Sequence, residues 1–152
     1  MIYKFNILTV FIGLFFLSLS HSQASESELG LVDGKLTICP DSPNCVSSEL
    51  AMISPIKLSK TEPELAWSLL QQVINEHGGE IQEKSNSYLL ATFTTAIFSF
   101  VDDVEARLDL EANVIHLRSA SRVGYYDFGA NRRRLQEIIK MMQLKLYKIK
   151  KK

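Results

Sequence analysis

Two stretches of the chain carry hydrophobic residues at helical spacing, and the first lies between residues 62 and 77. Pro63 suits the first turn of a helix there, and Thr61 can cap its start. Gly78 and Gly79 then end it, because glycine readily takes the left-handed conformation found just after many helices. The apolar positions, spaced by three and four residues, are Leu65, Ala66, Leu69, Leu70, Val73 and Ile74.

The second helical stretch begins in the sequence DFGANRRR near the end of the chain, where Asp127 or Asn131 can cap a helix. Arg132, Arg133 and Arg134 would then occupy its first two turns. Cations at that end oppose the helix dipole, so we expect compensation by acidic side chains or by an anionic ligand. The predicted buried stripe consists of Leu135, Ile138, Met142 and Leu146.

Between these helices, polar and apolar residues alternate, which is typical of strands that bury one face. Asn113 can take the left-handed conformation needed in a short turn between the last two strands. If Asp109 pairs with Val114 across that turn, Glu105 lies opposite Arg118. The predicted strands are Glu80–Lys84, Tyr88–Thr94, Val101–Leu110 and Val114–Arg122.

The first 24 residues have the anatomy of a secretory signal peptide. Lys4 is the one charge before an apolar run from Ile7 to Leu19, and Ser22 and Ala24 place small residues at −3 and −1 of a cleavage site. The apolar run is shorter than the ~20 residues that a membrane-spanning helix needs. We therefore predict export to a periplasm, with a retained N-terminal membrane anchor or full secretion as the alternatives.

Cys39 and Cys45 are the two cysteines of the chain. An even number of cysteines in an exported protein predicts a disulfide, and the prolines, Ser42 and Asn44 between them suit a tight turn. The spacing is not the C-x-x-C typical of zinc sites or thiol–disulfide enzymes, and no histidine lies close in the sequence. A structural disulfide is the favoured interpretation, and it would contribute roughly 2 kcal/mol on the loop-entropy model.

The elements follow in the order loop, helix, four strands and helix, and strands that run together between helices are typical of α+β domains. We expect one α+β domain over residues 37–147. Its predicted architecture is a two-layer one, in which two helices pack on a four-stranded antiparallel sheet and an N-terminal disulfide loop precedes them. Residues 25–36 lack periodicity and are expected to form an extended, poorly ordered lead-in, and residues 148–152 form a basic tail.

Composition and charge bound the function without defining it. Hydrophobic residues make up 46% of the chain and charged residues 22%, as in an ordinary globular protein. Residues 25–144 contain eleven basic and seventeen acidic side chains, a net charge of −6, which disfavours a nucleic-acid-binding domain. Lysines near the C-terminus offer a peripheral contact to anionic lipid, although they equally suit a solvated helix end. They are Lys145, Lys148, Lys150, Lys151 and Lys152.

Three motifs occur in an order that resembles a known family. They are CPDSPNCVSS (Cys39–Ser48), FVDDVEARLD (Phe100–Asp109) and RSASRVGYYDFGANRRR (Arg118–Arg134). By these motifs the chain resembles domain-of-unknown-function family 1499, over about Leu36 to Met142. The resemblance implies a largely exported or envelope-associated bacterial protein with relatives in photosynthetic organelles. It implies no established activity, cofactor or catalytic residue.

The last motif is the candidate binding site, because five arginines crowd the junction between the last strand and the last helix. The acids available to pair with them are Asp102, Asp103, Glu105 and Asp127. Internal ion pairing is the favoured interpretation, and it can still leave one or two arginines free for an anionic ligand. The predicted ligand-binding residues are Arg118, Arg122, Tyr125, Asn131, Arg132 and Arg134.

Nucleophilic catalysis has candidates in this motif, Ser119 and Ser121, but no base beside them. Strand alternation directs both serines towards the helices, whereas His116 points to the opposite face of the strand. His77 lies at the end of the first helix. Gly124 and Gly129 lack the Lys-Ser/Thr that follows the glycines of a phosphate-binding loop.

Metal chemistry is also disfavoured, because Asp102 and Asp103 diverge on a strand. We therefore predict no metal and no cofactor. The favoured function is an exported, non-enzymatic domain that binds an anionic small molecule, a lipid head group or another envelope partner. The alternatives are an envelope hydrolase that uses Ser119 or Ser121, and a purely structural interaction module.

Overall fold

A computed structural model describes residues 29–95 and 99–151, so the predicted signal peptide lies outside the described residues. Two helices, α1 (Pro63–Glu76) and α2 (Ala130–Lys150), pack against one face of an antiparallel sheet. The strands are β1 (Leu31–Val32), β2 (Lys35–Leu36), β3 (Cys45–Ser47), β4 (Ile56–Lys57), β5 (Glu80–Lys84), β6 (Tyr88–Thr94), β7 (Val101–Asp109) and β8 (Val114–Ser121).

The main sheet has six strands, so the prediction of four is wrong although the α+β architecture is confirmed. The four predicted strands are β5 to β8, and they lie side by side in sequence order. The additional strands β3 and β4 both pair with the remaining edge of β8. They contain three and two residues, which is too short for alternation to show in the sequence.

The predicted register of the last two strands is confirmed. Asp109 pairs with Val114 and Glu105 with Arg118, and Asn113 in the turn has a φ of 55°. Alternation therefore sends the apolar side chains of β7 and β8 towards the helices and most of their charged side chains towards the other face. Here that second face is called the outer face.

The core lies between the helices and the sheet. The predicted stripe of α2, which is Leu135, Ile138, Met142 and Leu146, is buried there, as are Leu70, Val73 and Ile74 of α1. Capping by Thr61 was predicted wrongly. The residue at the cap of α1 is Glu62, with no side-chain hydrogen bond, and the Thr61 N–H donates to the Leu58 carbonyl in the preceding turn.

A short hairpin, β1 and β2, covers the outer face, where residues 25–36 were expected to lack regular structure. Asp33 and Gly34 form its turn with φ values of 50° and 74°, a conformation that suits a two-residue hairpin loop. Leu36 is buried, and the Gly30 N–H donates to the Glu105 carboxylate at 2.7 Å. The sequence signal was weak because each strand has only two residues.

The predicted disulfide between Cys39 and Cys45 is present, with the two Cα atoms 5.6 Å apart. It closes a loop whose last residue before Cys45 is Asn44, and both residues are buried. Because β3 begins at Cys45 and pairs with β8, the disulfide holds Asn44 beside the end of β8.

Gly79, the second glycine after α1, packs so closely against the core that a larger side chain there should lower the free energy of unfolding. A Cβ at Gly79 would lie 2.5 Å from Cζ of Phe93 and 2.8 Å from Cγ2 of Ile74, both in the core. We expect Gly79→Ala to lower the free energy of unfolding by about 1–3 kcal/mol. Urea unfolding followed by the fluorescence of buried Trp67 measures this. Asn75→Ala, on the exposed side of α1, should change it by less than about 0.5 kcal/mol, and an equal loss in both variants would contradict the packing role.

Candidate functional site

The junction between β8 and α2 contains five arginines, and three of them pair with acids of β7. The pairs are Arg118–Glu105, Arg122–Asp103 and Arg134–Asp102, with nitrogen–oxygen distances of 2.6, 2.8 and 2.6 Å. The predicted internal ion pairing is therefore confirmed for these three. The acids at positions 102 and 103 point to opposite faces, as expected for neighbours on a strand.

Asn131 is the centre of a buried polar cluster on the helix side of the sheet. Its side-chain N–H groups donate to the Asn44 carbonyl and the Ser121 hydroxyl, each at 2.9 Å. Its carbonyl oxygen accepts from the Ser119 hydroxyl at 2.5 Å and from Arg134 at 2.7 Å. The cluster thereby joins the disulfide loop, the last strand and the first turn of α2.

Ser119 and Ser121 face the helices, as predicted, and both hydroxyls take part in this cluster. Within residues 29–95 and 99–151 neither of them contacts a histidine. Ser119 is also fully buried. The geometry of the cluster therefore offers no activated nucleophile at these two positions.

Asp127, two residues before the cap of α2, accepts hydrogen bonds from backbone N–H groups at the start of this helix. Its carboxylate accepts the N–H groups of Gly129 and Asn131 at 2.9 and 2.8 Å, while Gly129 at the cap has a φ of 76°. Asn131 itself lies inside the helix and does not cap it. A carboxylate here offsets part of the unfavourable interaction between the arginines and the helix dipole.

The other two of the five arginines, Arg132 and Arg133, have no acidic partner in the described part of the chain. Both are exposed, and they donate to the backbone carbonyls of Met52 and Phe128, each at 2.7 Å. Their charges are therefore available at the surface. Arg122 is also about half exposed, but both oxygens of Asp103 already bind it and raise its pKa further.

Beside these arginines lies a surface with several exposed apolar side chains. Tyr125 is 72% exposed and Phe128 80% exposed, and the Phe128 ring contacts the Tyr126 ring edge-on at 5.0 Å. The Arg122 N–H donates to the Val101 carbonyl, which brings the loop before β7 alongside. We call this surface the aromatic end, and its members are Val123, Tyr125, Tyr126 and Phe128.

The aromatic end is held in place by the disulfide loop. The Asn44 side chain donates to the Gly124 carbonyl at 2.5 Å, and the Asn44 carbonyl accepts the N–H of Ser121 and the side chain of Asn131. No sequence periodicity pointed to Asn44. Its position just before a disulfide cysteine is the one signal that could have drawn attention to it.

The six predicted ligand-binding residues occupy three different environments. Asn131 and Arg134 belong to the buried cluster, Arg118 is buried on the outer face, and Arg122, Tyr125 and Arg132 lie at the surface. Arg132 borders a cavity of about 270 Å³ between the disulfide loop and the start of α2, which Tyr126 and Pro43 also line. The structure thus does not bring the six together around one cavity.

A serine–histidine contact occurs on the outer face, where it had not been predicted. The Ser48 hydroxyl lies 3.1 Å from Nδ1 of His116 and accepts the Leu117 N–H at 2.8 Å. Burial, the largest influence, lowers the pKa of His116 below its usual value, with Arg107 and Lys35 acting in the same direction. Glu49, 4.0 Å from the same ring nitrogen, opposes the shift, as does Asp109 to a smaller extent. The tautomer of the His116 imidazole sets which of the two atoms donates in this hydrogen bond.

Glu105 on the same face accepts three hydrogen bonds. The donors are the Tyr88 hydroxyl at 2.8 Å, the Gly30 N–H at 2.7 Å and Arg118 at 2.6 Å. Burial raises the pKa of Tyr88 well above its usual value, and the charge of Glu105 adds to this effect. Strand register alone predicted the pair with Arg118, whereas Tyr88 and Gly30 reach Glu105 only through tertiary contacts.

Removing the Asn131 side chain tests the buried cluster. Asn131→Ala removes one of the two donors to the Asn44 carbonyl and the acceptor of the buried Ser119 hydroxyl, and we expect the free energy of unfolding to fall by about 3 kcal/mol. Urea unfolding measures this loss. Gln136→Ala, at an exposed position of the same helix, is the matched control. A small effect of Asn131→Ala would show that the cluster does not hold α2 in place.

The environment of His116 predicts a pH dependence of stability. Because its pKa is lowered in the folded state, the unfolded chain takes up the proton first as the pH falls below about 6.5, so stability decreases there. We expect His116→Gln to lose less stability than the wild type between about pH 7.5 and pH 5.5. Ser48→Ala, which leaves the imidazole buried, should keep the wild-type slope. Equal slopes for His116→Gln and the wild type would refute the prediction.

Among the described helices, none is long and apolar enough to cross a membrane, and no group of three or more potential metal ligands occurs among the described residues. No curated protein sequence and no solved structure matches the chain significantly. A family model described as a protein of unknown function (DUF1499) matches residues 35–142, which include all three sequence motifs. This match covers most of the chain and confirms the resemblance seen in those motifs. The chain belongs to the DUF1499 family.

Proposed function

We propose that this protein is an exported, non-enzymatic domain that binds an anionic membrane surface through its aromatic end. The observation that carries the proposal is the position of two exposed arginines, Arg132 and Arg133, which have no acidic partner within residues 29–95 and 99–151 and lie beside exposed aromatic rings. The signal-peptide pattern of residues 1–24 supports export, and an exported domain of this kind would meet an envelope membrane.

Aromatic side chains and arginines suit the two layers of a membrane interface. Tyrosine places an apolar ring and a polar hydroxyl at the boundary between hydrocarbon and water, and phenylalanine inserts below it. A basic side chain near an anionic lipid surface contributes about 1 kcal/mol. Both kinds of side chain occur together here, because Tyr126 of the aromatic end and the neighbouring Arg132 line the same cavity.

The exposed aromatic rings bury little area on folding and so contribute little to stability, which supports a role other than folding. Phe128 is 80% exposed and has a φ of 53°, a left-handed conformation that is uncommon for residues other than glycine and asparagine. Burial of the ring in a bilayer would recover hydrophobic free energy that the isolated fold does not. Hydrogen bonds from Asn44 and to Asp127 hold the loop between β8 and α2 on both sides. Binding would therefore cost little conformational entropy.

The aromatic end and the lysine-rich end of α2 lie at opposite ends of this helix. The helix has 21 residues and therefore spans about 30 Å, from Ala130 beside the aromatic end to Lys150. Tyr147, which is 54% exposed and in contact with the Lys151 ammonium, lies near the far end. Contact through the C-terminal lysines would thus present the opposite end of α2 to the membrane, and the two modes can be tested separately.

Sedimentation with lipid vesicles tests the proposal. The protein should bind vesicles that contain phosphatidylglycerol, should bind pure phosphatidylcholine vesicles much less, and should be released by salt. Arg132→Gln/Arg133→Gln should weaken binding roughly 30-fold, because two charges are lost from the contact. Tyr125→Ser/Phe128→Asn should also weaken it and remain folded, since asparagine tolerates the backbone conformation at position 128.

Matched controls lie at the other end of the molecule. Tyr147→Ser removes an aromatic ring of similar exposure, and Lys148→Gln/Lys150→Gln removes two charges from the far end of α2. Both should bind vesicles like the wild type. Loss of binding in these controls, with none in the variants of the aromatic end, would reverse the proposed orientation. Absence of binding to either kind of vesicle would refute the function.

A further inference from the structure

Arg118 is fully buried, and two of the three nitrogens of its guanidinium group have no hydrogen-bond partner in the described part of the chain. Nη1 donates to Glu105, whereas Nε and Nη2 have no partner among the described residues. The N–H groups of these two nitrogens point in the same direction. Together they form a fork that matches the two oxygens of a carboxylate or a phosphate group.

Two other arginines on this face of the sheet donate to acidic side chains through two nitrogens each. In Arg122, Nε and Nη2 donate to the two oxygens of Asp103, at 2.9 and 2.8 Å. In Arg107, on the same face of the sheet, Nε donates to Glu49 and Nη1 to Asp109. Arg118 is the most deeply buried of the three and yet has an unfilled fork. Buried donors without partners are costly, so the fork of Arg118 calls for an acceptor.

Two grooves flank the buried pair of Arg118 and Glu105, although Arg118 itself lines neither of them. The hairpin β1–β2 lies over the pair of Arg118 and Glu105, to which the Gly30 N–H contributes a hydrogen bond. A groove of about 610 Å³ lies between this hairpin and the segment that follows β3. Ser47, the strand partner of Arg118, lines this groove together with Leu36 and Lys35. A second groove, of about 310 Å³, lies on the side of Tyr88 and Gly30.

The charges on this face leave room for an anion. The Tyr88 hydroxyl and the Gly30 N–H donate to Glu105, and this takes up part of the negative charge that Arg118 would otherwise balance alone. Two acids, Glu49 and Asp33, line the larger groove together with Lys35, and Glu49 pairs with Arg107.

We propose that the Nε and Nη2 fork of Arg118 binds a small soluble oxyanion, a carboxylate or a phosphate, beneath the β1–β2 hairpin. The site lies on the outer face of the sheet and is independent of the aromatic end. Entry requires the hairpin to lift. Its described attachments to the sheet are few: the buried Leu36 side chain and the backbone hydrogen bonds from Gly30 and Leu36 to carboxylates. Segments with so few buried contacts open at low free-energy cost.

Nuclear magnetic resonance of the ¹⁵N-labelled protein tests this site through the Arg118 Nε–H signal. Acetate and inorganic phosphate are titrated separately, against sodium chloride at matched ionic strength. We expect a saturable shift of this signal, and of the Gly30 amide in the hairpin, with acetate if the ligand is a carboxylate and with phosphate if it is a phosphate. Absence of a saturable shift with both anions in the wild-type protein would overturn the proposal, whatever the behaviour of the variants.

Two lysine variants locate the binding. Arg118→Lys keeps a positive charge for Glu105 but has no fork, so affinity for the anion should fall about tenfold or more. Arg107→Lys is the matched control on the same face, and its affinity should equal that of the wild type because acids of the chain already bind both edges of that guanidinium. Unchanged affinity in folded Arg118→Lys would place the anion elsewhere and refute the site.

Discussion

The antiparallel register of β7 and β8 determines where the charged groups of this protein lie. With Glu105 opposite Arg118, each strand presents charge on the outer face and apolar side chains to the helices. A shift of one residue would place these charges in the core, at a cost of several kcal/mol for each unpaired ion. The same register sends Asp102 to the helix side, where it meets Arg134 of α2.

The disulfide loop links this sheet to the surface that we propose to be functional. Asn44 contacts the end of β8, the loop after it and Asn131 of α2, all through polar groups that are buried or nearly so. The aromatic end therefore rests on a satisfied hydrogen-bond network rather than on flexible loops. In this arrangement the strand–helix junction has two layers: a buried one that maintains the fold and an exposed one that carries two uncompensated arginines.

Much of the fold could be predicted because its signals are local. The helices, β5 to β8 and the direction of Ser119 and Arg118 follow from periods of 3.6 and 2 in neighbouring residues. The disulfide followed from two cysteines in a chain whose first residues predict export. By contrast, β3, β4 and the hairpin are too short to show a period, and they exist because β8 and the outer face offer them partners.

Alternation along each strand decides which side chains share a face of the sheet, so the sequence alone specifies that arrangement. Strand register also predicted the pair of Glu105 and Arg118, whereas the acidic partners of Arg122 and Arg134 did not follow from it. Tertiary contacts leave Arg132 and Arg133 at the surface, and they bury the fork of Arg118 with no partner among the residues that the structure describes. These outcomes depend on contacts between residues far apart in the chain, such as Met52 with Arg132, and no local pattern encodes them.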